Sequence, residues 1–343
     1  MYDKLIQWSK KNFSHLPWRE NRSLYGTLVS EIMLQQTTVG TVLNHYERFL
    51  KKFPTIKSLA QSSEEELLIE WKGLGYYRRA KNLKKISEQI FLQFNGRIPE
   101  SFDNLMSLNG IGPYTANAIL AIGLDQKALA IDANLERVIS RLFMLDEIKG
   151  AKLTKKIYEL FNANEIFNFK KISYRELNEA IMDLGRTYCK VSTVECLNCP
   201  LNKVCKANIN RCQLEYPKAD KIKLKENFEL SLIRIIVKKN DEVLMFQKAE
   251  NEWLHGQWEL PTFILESGDK KLKQYPDLKS KISKFDGEYK TSITKYKIVN
   301  YIKVMNEANF KKITKDKKYI FRKFDRSSNL STASIKALAK IKS

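Results

Sequence analysis

Two acidic residues and four cysteines carry the chemistry that this 343-residue sequence offers. Glu31 lies inside the apolar run Leu28-Val-Ser-Glu-Ile-Met-Leu34, where desolvation disfavours the carboxylate and keeps a proton available. Asp132, in Ala130-Ile-Asp-Ala-Asn-Leu135, precedes a helical pattern whose N-terminal dipole favours negative charge. An acid and an anion with separated pKa values are what cleavage of a glycosidic bond requires. The plain alternatives are a helix N-cap for Asp132 and a solvated helix face for Glu31. The cysteines follow Cys189-x6-Cys196-x2-Cys199-x5-Cys205. In a reducing compartment so tight a group is a metal or cluster site rather than a disulfide framework. Four soft ligands suit zinc or an iron–sulfur cluster, and the single short-spaced pair, Cys196 and Cys199, favours the cluster. Arg186, Lys190, Lys203 and Lys206 surround these ligands as a candidate phosphate-binding surface, and Cys212 falls outside the pattern. A third group, Leu108-Asn-Gly-Ile-Gly112, places Gly110 and Gly112 before Pro113. It reads either as a plain interhelical turn or as a hairpin offering free N–H groups to a phosphate.

The elements that must position these groups are helical up to about residue 210. Leu28, Val29, Ile32, Met33, Val39, Val42 and Leu43 recur at three- and four-residue spacing. Ser63 followed by Glu64, Glu65 and Glu66 reads as a capped helix start. Further helices are predicted over 79–93, 101–108, 113–122, 134–143, 152–162 and 174–185, with Gly and Pro between them. Residues 211–229 are polar and basic, as an exposed connector would be. Beyond it, 230–237 and 242–246 read as a hairpin, 293–305 and 318–324 as strands, and 331–342 as a closing amphipathic helix.

Composition narrows the class. A hydrophobic fraction of 43% with 29% charged residues is globular, and no apolar stretch approaches the ~20 residues that span a bilayer. A soluble, cytoplasmic protein without a membrane partner is the expectation. The 60 Lys and Arg against 39 Asp and Glu give a net charge of +21, which points to a polyanion such as nucleic acid unless it reflects an AT-rich genome.

At the residues quoted above the chain resembles the adenine DNA glycosylases of the MutY family, within the helix–hairpin–helix superfamily that includes endonuclease III. The matching segments are Leu16-Pro-Trp-Arg19, Val29-Ser-Glu-Ile-Met-Leu-Gln-Gln-Thr37, Trp71-Lys-Gly-Leu-Gly-Tyr-Tyr77, Leu108-Asn-Gly-Ile-Gly-Pro-Tyr-Thr-Ala116, Ile131-Asp-Ala-Asn134 and Met182-Asp-Leu-Gly185. The resemblance implies an all-α catalytic domain over 1–210, with a six-helix barrel part at about 23–128 and a cluster part formed by 1–22 and 129–210. It implies one [4Fe–4S] cluster on Cys189, Cys196, Cys199 and Cys205. It also implies a monofunctional glycosylase that removes adenine opposite 8-oxoguanine or guanine in double-stranded DNA, and hence a nucleoid-associated protein in a bacterium. Glu31 would protonate adenine at N7 and Asp132 would stabilise or trap the sugar cation, with Tyr114 and Asn134 supporting the two carboxylates. Trp18, Arg19, Leu34 and Glu176 would line the pocket for the extruded base. Gln36 and Tyr76 would wedge into the duplex, Thr37 belongs to the same substrate-binding set, and Gly110 and Gly112 would approach a phosphate.

Residues 230–343 resemble, more loosely, the family's α+β, Nudix-like domain that reads 8-oxoguanine. Trp253-Leu-His-Gly-Gln-Trp-Glu-Leu-Pro261 matches its Trp-containing loop, and a metal-binding Nudix box is missing. Three positions depart from the pattern: Thr294 and Lys295 stand where the family carries Ser-His, and Ala133 where it carries Gly. The connector is the expected place for repair or clamp proteins to dock on a monomer. The alternatives are a bifunctional glycosylase/lyase, disfavoured because Tyr114 replaces the lysine that forms a Schiff base, and a non-catalytic iron–sulfur DNA-binding protein.

Overall fold

The computed structural model describes residues 2–341 except 168–172, 220–226, 279, 281, 283, 315, 317 and 324–328. The chain divides into two compact units, 1–222 and 223–343, and the middle of the predicted connector, 220–226, lies outside the described residues.

The first unit is helical. Its starts are set by side chains that satisfy otherwise unpaired N–H groups: Ser23, Thr38, Ser63, Ser101, Asp132 and Ser173 each accept from the first helical turn. Ser63 and Glu66 form a full capping box. The Leu24–Leu34 helix is buried continuously from Gly26 to Met33, so it runs through the interior with Glu31 inside it. One core joins the N-terminal helix, through Leu5 and Ile6, to Leu129, Leu135, Val138, Ile139, Leu177, Ile181 and Leu201. The single helix predicted over 113–122 is instead α-helical over Pro113–Ala118 and widens into a π turn over Ile119–Gly123. Arg175 compensates for the loosened ladder: its Nε donates to Ile122 O (2.6 Å) and its Nη2 to Gly123 O (2.9 Å). No helix is long and apolar enough to cross a membrane among the described residues.

The second unit is α+β. Strands β1 (Phe228–Ile236), β2 (Lys238–Lys239), β3 (Glu242–Gln247), β4 (Trp258–Glu259), β5 (Thr262–Ser267), β6 (Gly287–Ile293), β7 (Tyr296–Val304) and β8 (Ile320–Lys323) form two sheets. The order is β5-β1-β7-β6 in one, and β2-β3-β4 with β8 also on β3 in the other. The predicted 230–237/242–246 hairpin is therefore corrected. Only β2 and the start of β3 pair, while β1 takes β5 antiparallel and β7 parallel as neighbours. Burial from Leu232 to Ile236 explains the difference, because a strand covered on both faces belongs at a sheet centre. The run predicted over 293–305 breaks at Thr294-Lys295, which turn β6 into β7. The closing helix spans Thr332–Lys340, and its predicted end at residue 342 lies outside the described residues. A charged network fills part of this unit's core. Arg234 donates to Glu259 Oε1 (2.6 Å), Asn300 Oδ1 (2.9 Å) and Thr262 Oγ1 (3.1 Å), and Tyr275 donates to Glu259 Oε2 (3.1 Å).

Candidate active site

Glu31 sits on the buried helix with 5% of its surface exposed, so the solvated-face alternative is excluded. Burial pushes its carboxyl up to about 7. Asp132 and Glu179 push the same way, whereas the Tyr114 hydrogen bond and the Arg19 charge oppose it. Tyr114 OH donates to Glu31 Oε2 at 2.5 Å, and burial together with the two carboxylates holds that phenol far above its ordinary range.

Asp132 caps the Ala133–Phe143 helix. Its Oδ1 accepts from the N–H groups of Asn134 (2.9 Å) and Leu135 (2.7 Å), and its Oδ2 accepts from Asn134 Nδ2 (2.8 Å). Asn134 is fixed in turn by Arg137, whose Nη2 donates to Asn134 Oδ1 and Gly185 O, both at 2.8 Å. Gly185 lies so close that a Cβ there would stand 2.6 Å from the Cβ of Asn134. Ala133 is helical, so its methyl, where glycine was expected, meets no positive-φ backbone.

Glu31 and Asp132, about a hundred residues apart in sequence, line one cavity of about 680 Å³. Trp18, Arg19, Leu34, Thr37, Tyr114 and Asn134 line it as well. The volume falls within the ~300–1,000 Å³ of small-molecule sites. Glu176 does not belong to it: its carboxylate pairs with Lys10 (2.5 Å) and faces a separate cavity. The glutamate that does line it is Glu179, one turn further along the Tyr174–Thr187 helix. Sequence reading also missed Asp183, inside the quoted Met-Asp-Leu-Gly motif. Asp183 accepts from Arg19 Nη1 (2.8 Å) and Nη2 (3.1 Å) and from Ser9 Oγ (2.5 Å), and it orients the guanidinium at the cavity wall.

Gln36 and Tyr76 stand outside the cavity on exposed turns, both with left-handed backbone (φ 55° and 46°). Gly110 also has positive φ (102°), while Gly112 is extended and caps the Pro113–Ala118 helix. Thr294 is an exposed turn residue of the second unit. Beside it Lys295 Nζ lies 3.3 Å from Asp269 and 4.4 Å from the centre of the Phe228 ring.

Cys189, Cys196, Cys199 and Cys205 surround one small cavity with Val138, Leu142, Leu184 and Leu201, and Cys212 is not part of its lining. Among the described residues no three potential ligands come together as a single-ion site. Arg141 Nη1 donates to Cys189 Sγ (3.3 Å) and Gln213 Nε2 to Cys196 Sγ (3.6 Å). Burial pushes the Cys199 thiol up to about 12 and also raises Cys196 and Cys205.

Comparison with known proteins defines the class. Residues 29–185 match the model of the HhH-GPD superfamily base excision DNA repair proteins. The first unit's fold is shared by a thermostable thymine-DNA glycosylase, with a TM-score of 0.52 and 25% identity over 61% of this chain and 94% of that one. Adenine DNA glycosylases of two Buchnera aphidicola subspecies are also similar. The Acyrthosiphon pisum one is 37% identical over 62% of this chain and 60% of its own length. The Schizaphis graminum one is 31% identical over 80% of this chain and 77% of its own length. The chain belongs to the adenine DNA glycosylase family. It spans about two fifths (38%) of the human member, to which it is 33% identical.

Proposed function

We propose that this protein is a monofunctional DNA glycosylase that hydrolyses the N-glycosidic bond of adenine opposite 8-oxoguanine or guanine in duplex DNA. The observation that carries the reading is the buried Glu31 carboxyl sharing one cavity with Asp132. A base inside a duplex must leave the stack to be reached, and the cavity beside Trp18 and Arg19 receives it. Glu31, still substantially protonated near pH 7, donates to the adenine ring and converts a poor leaving group into a good one. Asp132, fixed by Asn134 and the helix N-terminus, faces the developing positive charge on the sugar and stabilises it or traps it. Water completes the hydrolysis and leaves an abasic site. Tyr114 occupies the position where a lyase would carry lysine, and a phenol forms no Schiff base.

Support for an iron–sulfur cluster comes from the four thiols standing around one cavity and from the two N–H donors aimed at their sulfurs. Cys189, Cys196, Cys199 and Cys205 would hold one [4Fe–4S] cluster, which supplies a four-point crosslink and a one-electron centre. The Nudix-like second unit would read the oxidised base through the Thr294-Lys295 turn, and repair or clamp proteins would dock on residues 211–229.

The test uses a duplex carrying adenine opposite 8-oxoguanine, incubated with the protein and then treated with alkali. Strand breaks that need alkali are the expected result. Breaks without alkali indicate a lyase, and intact DNA a non-catalytic binder. Purified protein should be brown and contain iron, and a colourless protein with stoichiometric zinc refutes the cluster.

A further inference from the structure

Arg79 is buried, yet among the described residues no carboxylate pairs with it. Its neighbours are almost all backbone carbonyls. Nη1 donates to Ile32 O (3.0 Å), Met33 O (2.7 Å) and Gln35 O, all at the C-terminal end of the helix that carries Glu31. Nη2 donates to Leu74 O (3.0 Å), Gly75 O (3.3 Å) and Thr37 Oγ1 (2.8 Å). The negative end of a helix dipole partly offsets the cost of burying the cation, but an apolar side chain would avoid that cost altogether.

The pattern of acceptors explains the charge. Gln36 and Tyr76 are non-glycine residues in left-handed conformation, a costly state that persists only where its surroundings over-determine it. The peptide before Gln36 contributes Gln35 O, and the peptide before Tyr76 contributes Gly75 O. One planar guanidinium holds both peptides, and it lies 5.4 Å from the centre of the Tyr76 ring.

We propose that Arg79 is a positioning residue that locks the Gln36 turn, the Tyr76 turn and the end of the Glu31 helix into one body. The two exposed side chains thereby enter a duplex at a fixed distance from the acid. The role in DNA rests on the activity proposed above and on the wedging that the family resemblance implies for Gln36 and Tyr76, whereas the clamp itself rests on the hydrogen bonds alone.

The variants are Arg79→Lys and Arg79→Met, the first keeping charge but not the two-pronged plane. In the free protein, amide exchange should rise in residues 34–37 and 74–77 and stay unchanged elsewhere. With a duplex carrying 2-aminopurine opposite 8-oxoguanine, the fluorescence rise that reports base extrusion should shrink in both variants. Single-turnover adenine release should fall about 100-fold, the scale of a misplacement near 1 Å, with little change in duplex Kd. Folded variants with wild-type exchange and wild-type extrusion overturn the proposal. So does full rescue by lysine, or the failure of both variants to fold, which makes the role merely structural. If the wild type releases no adenine, the proposed activity falls and the exchange measurement still decides the clamp.

Discussion

Glu31→Gln separates the chemistry of the site from its shape. Glutamine keeps the size of the side chain and an oxygen for the Tyr114 hydroxyl, but it has no acidic proton to give. Removing a general acid of this kind costs about 10²–10⁴-fold in rate. In the wild type the single-turnover rate should fall above pH 7, because the carboxyl titrates at about 7. In the variant that limb should disappear. A second consequence concerns stability. The folded-state value lies above the ordinary 4.5, so the folded protein holds this proton more tightly than the unfolded chain. The wild type therefore loses stability as pH rises from about 4.5 through about 7. At about 1.4 kcal/mol per pH unit the loss is at most about 3 kcal/mol, since water entering the cavity softens the burial. Glutamine escapes this loss, so the variant should gain stability relative to wild type at pH 8 and little at pH 5. For a unit of this size the difference amounts to a Tm rise of up to about 6–12 °C. The assays are single-turnover adenine release across pH and thermal melts at the two pH values. Release within tenfold of wild type at pH 6, or equal melting increments at pH 5 and pH 8, would refute the assignment of the buried acid.

Tyr114→Phe removes the hydrogen bond that favours the Glu31 carboxylate, so the alkaline limb of the rate profile should move upward from about 7. Glu179→Ala should reduce adenine release at least tenfold by removing a cavity wall and a partner of Arg19, whereas Glu176→Ala should leave the rate near wild type. Arg234→Met in the second unit takes from the fully buried Glu259 its shorter charged partner, leaving Lys248 at 3.8 Å, and should cost up to about 3 kcal/mol in denaturant unfolding of that unit.

The legible parts of the sequence were those where local pattern and chemistry coincide. Glu31 stands in an apolar run that favours burial over a solvated face, and Asp132 before a helix announces a cap; the structure puts both on one cavity. Glu176 and Glu179 share a helix stripe, and pattern alone does not tell where along it the cavity lies. Glu176, in the first turn, reaches the N-terminal helix and Lys10 instead. Arg79 was invisible because Arg-Arg-Ala-Lys-Asn-Leu-Lys-Lys reads as a solvated basic face, and only the packing of the distant Gln36 turn against the neighbouring Tyr76 turn buries one of its arginines. The hairpin misreading has a similar origin. The Asn240-Asp241 turn does form, between β2 and β3, but β1 and β3 then separate into different sheets, a choice made by distant β5 and β7.

The contact between Gly185 and Asn134 ties the packing of two helices to the alignment of the carboxylate. Alanine is about 1 kcal/mol more favourable than glycine inside a helix, so Gly185→Ala ought to strengthen its own helix. Yet the added methyl would press on the side chain that holds Asp132, within 2.6 Å of its Cβ. Because that Cβ is the root of the side chain and the Asn134 Cα would stand only 3.3 Å away, the two helices would have to move apart, so one methyl should cost the protein both the alignment of Asp132 and more stability than the helix gains.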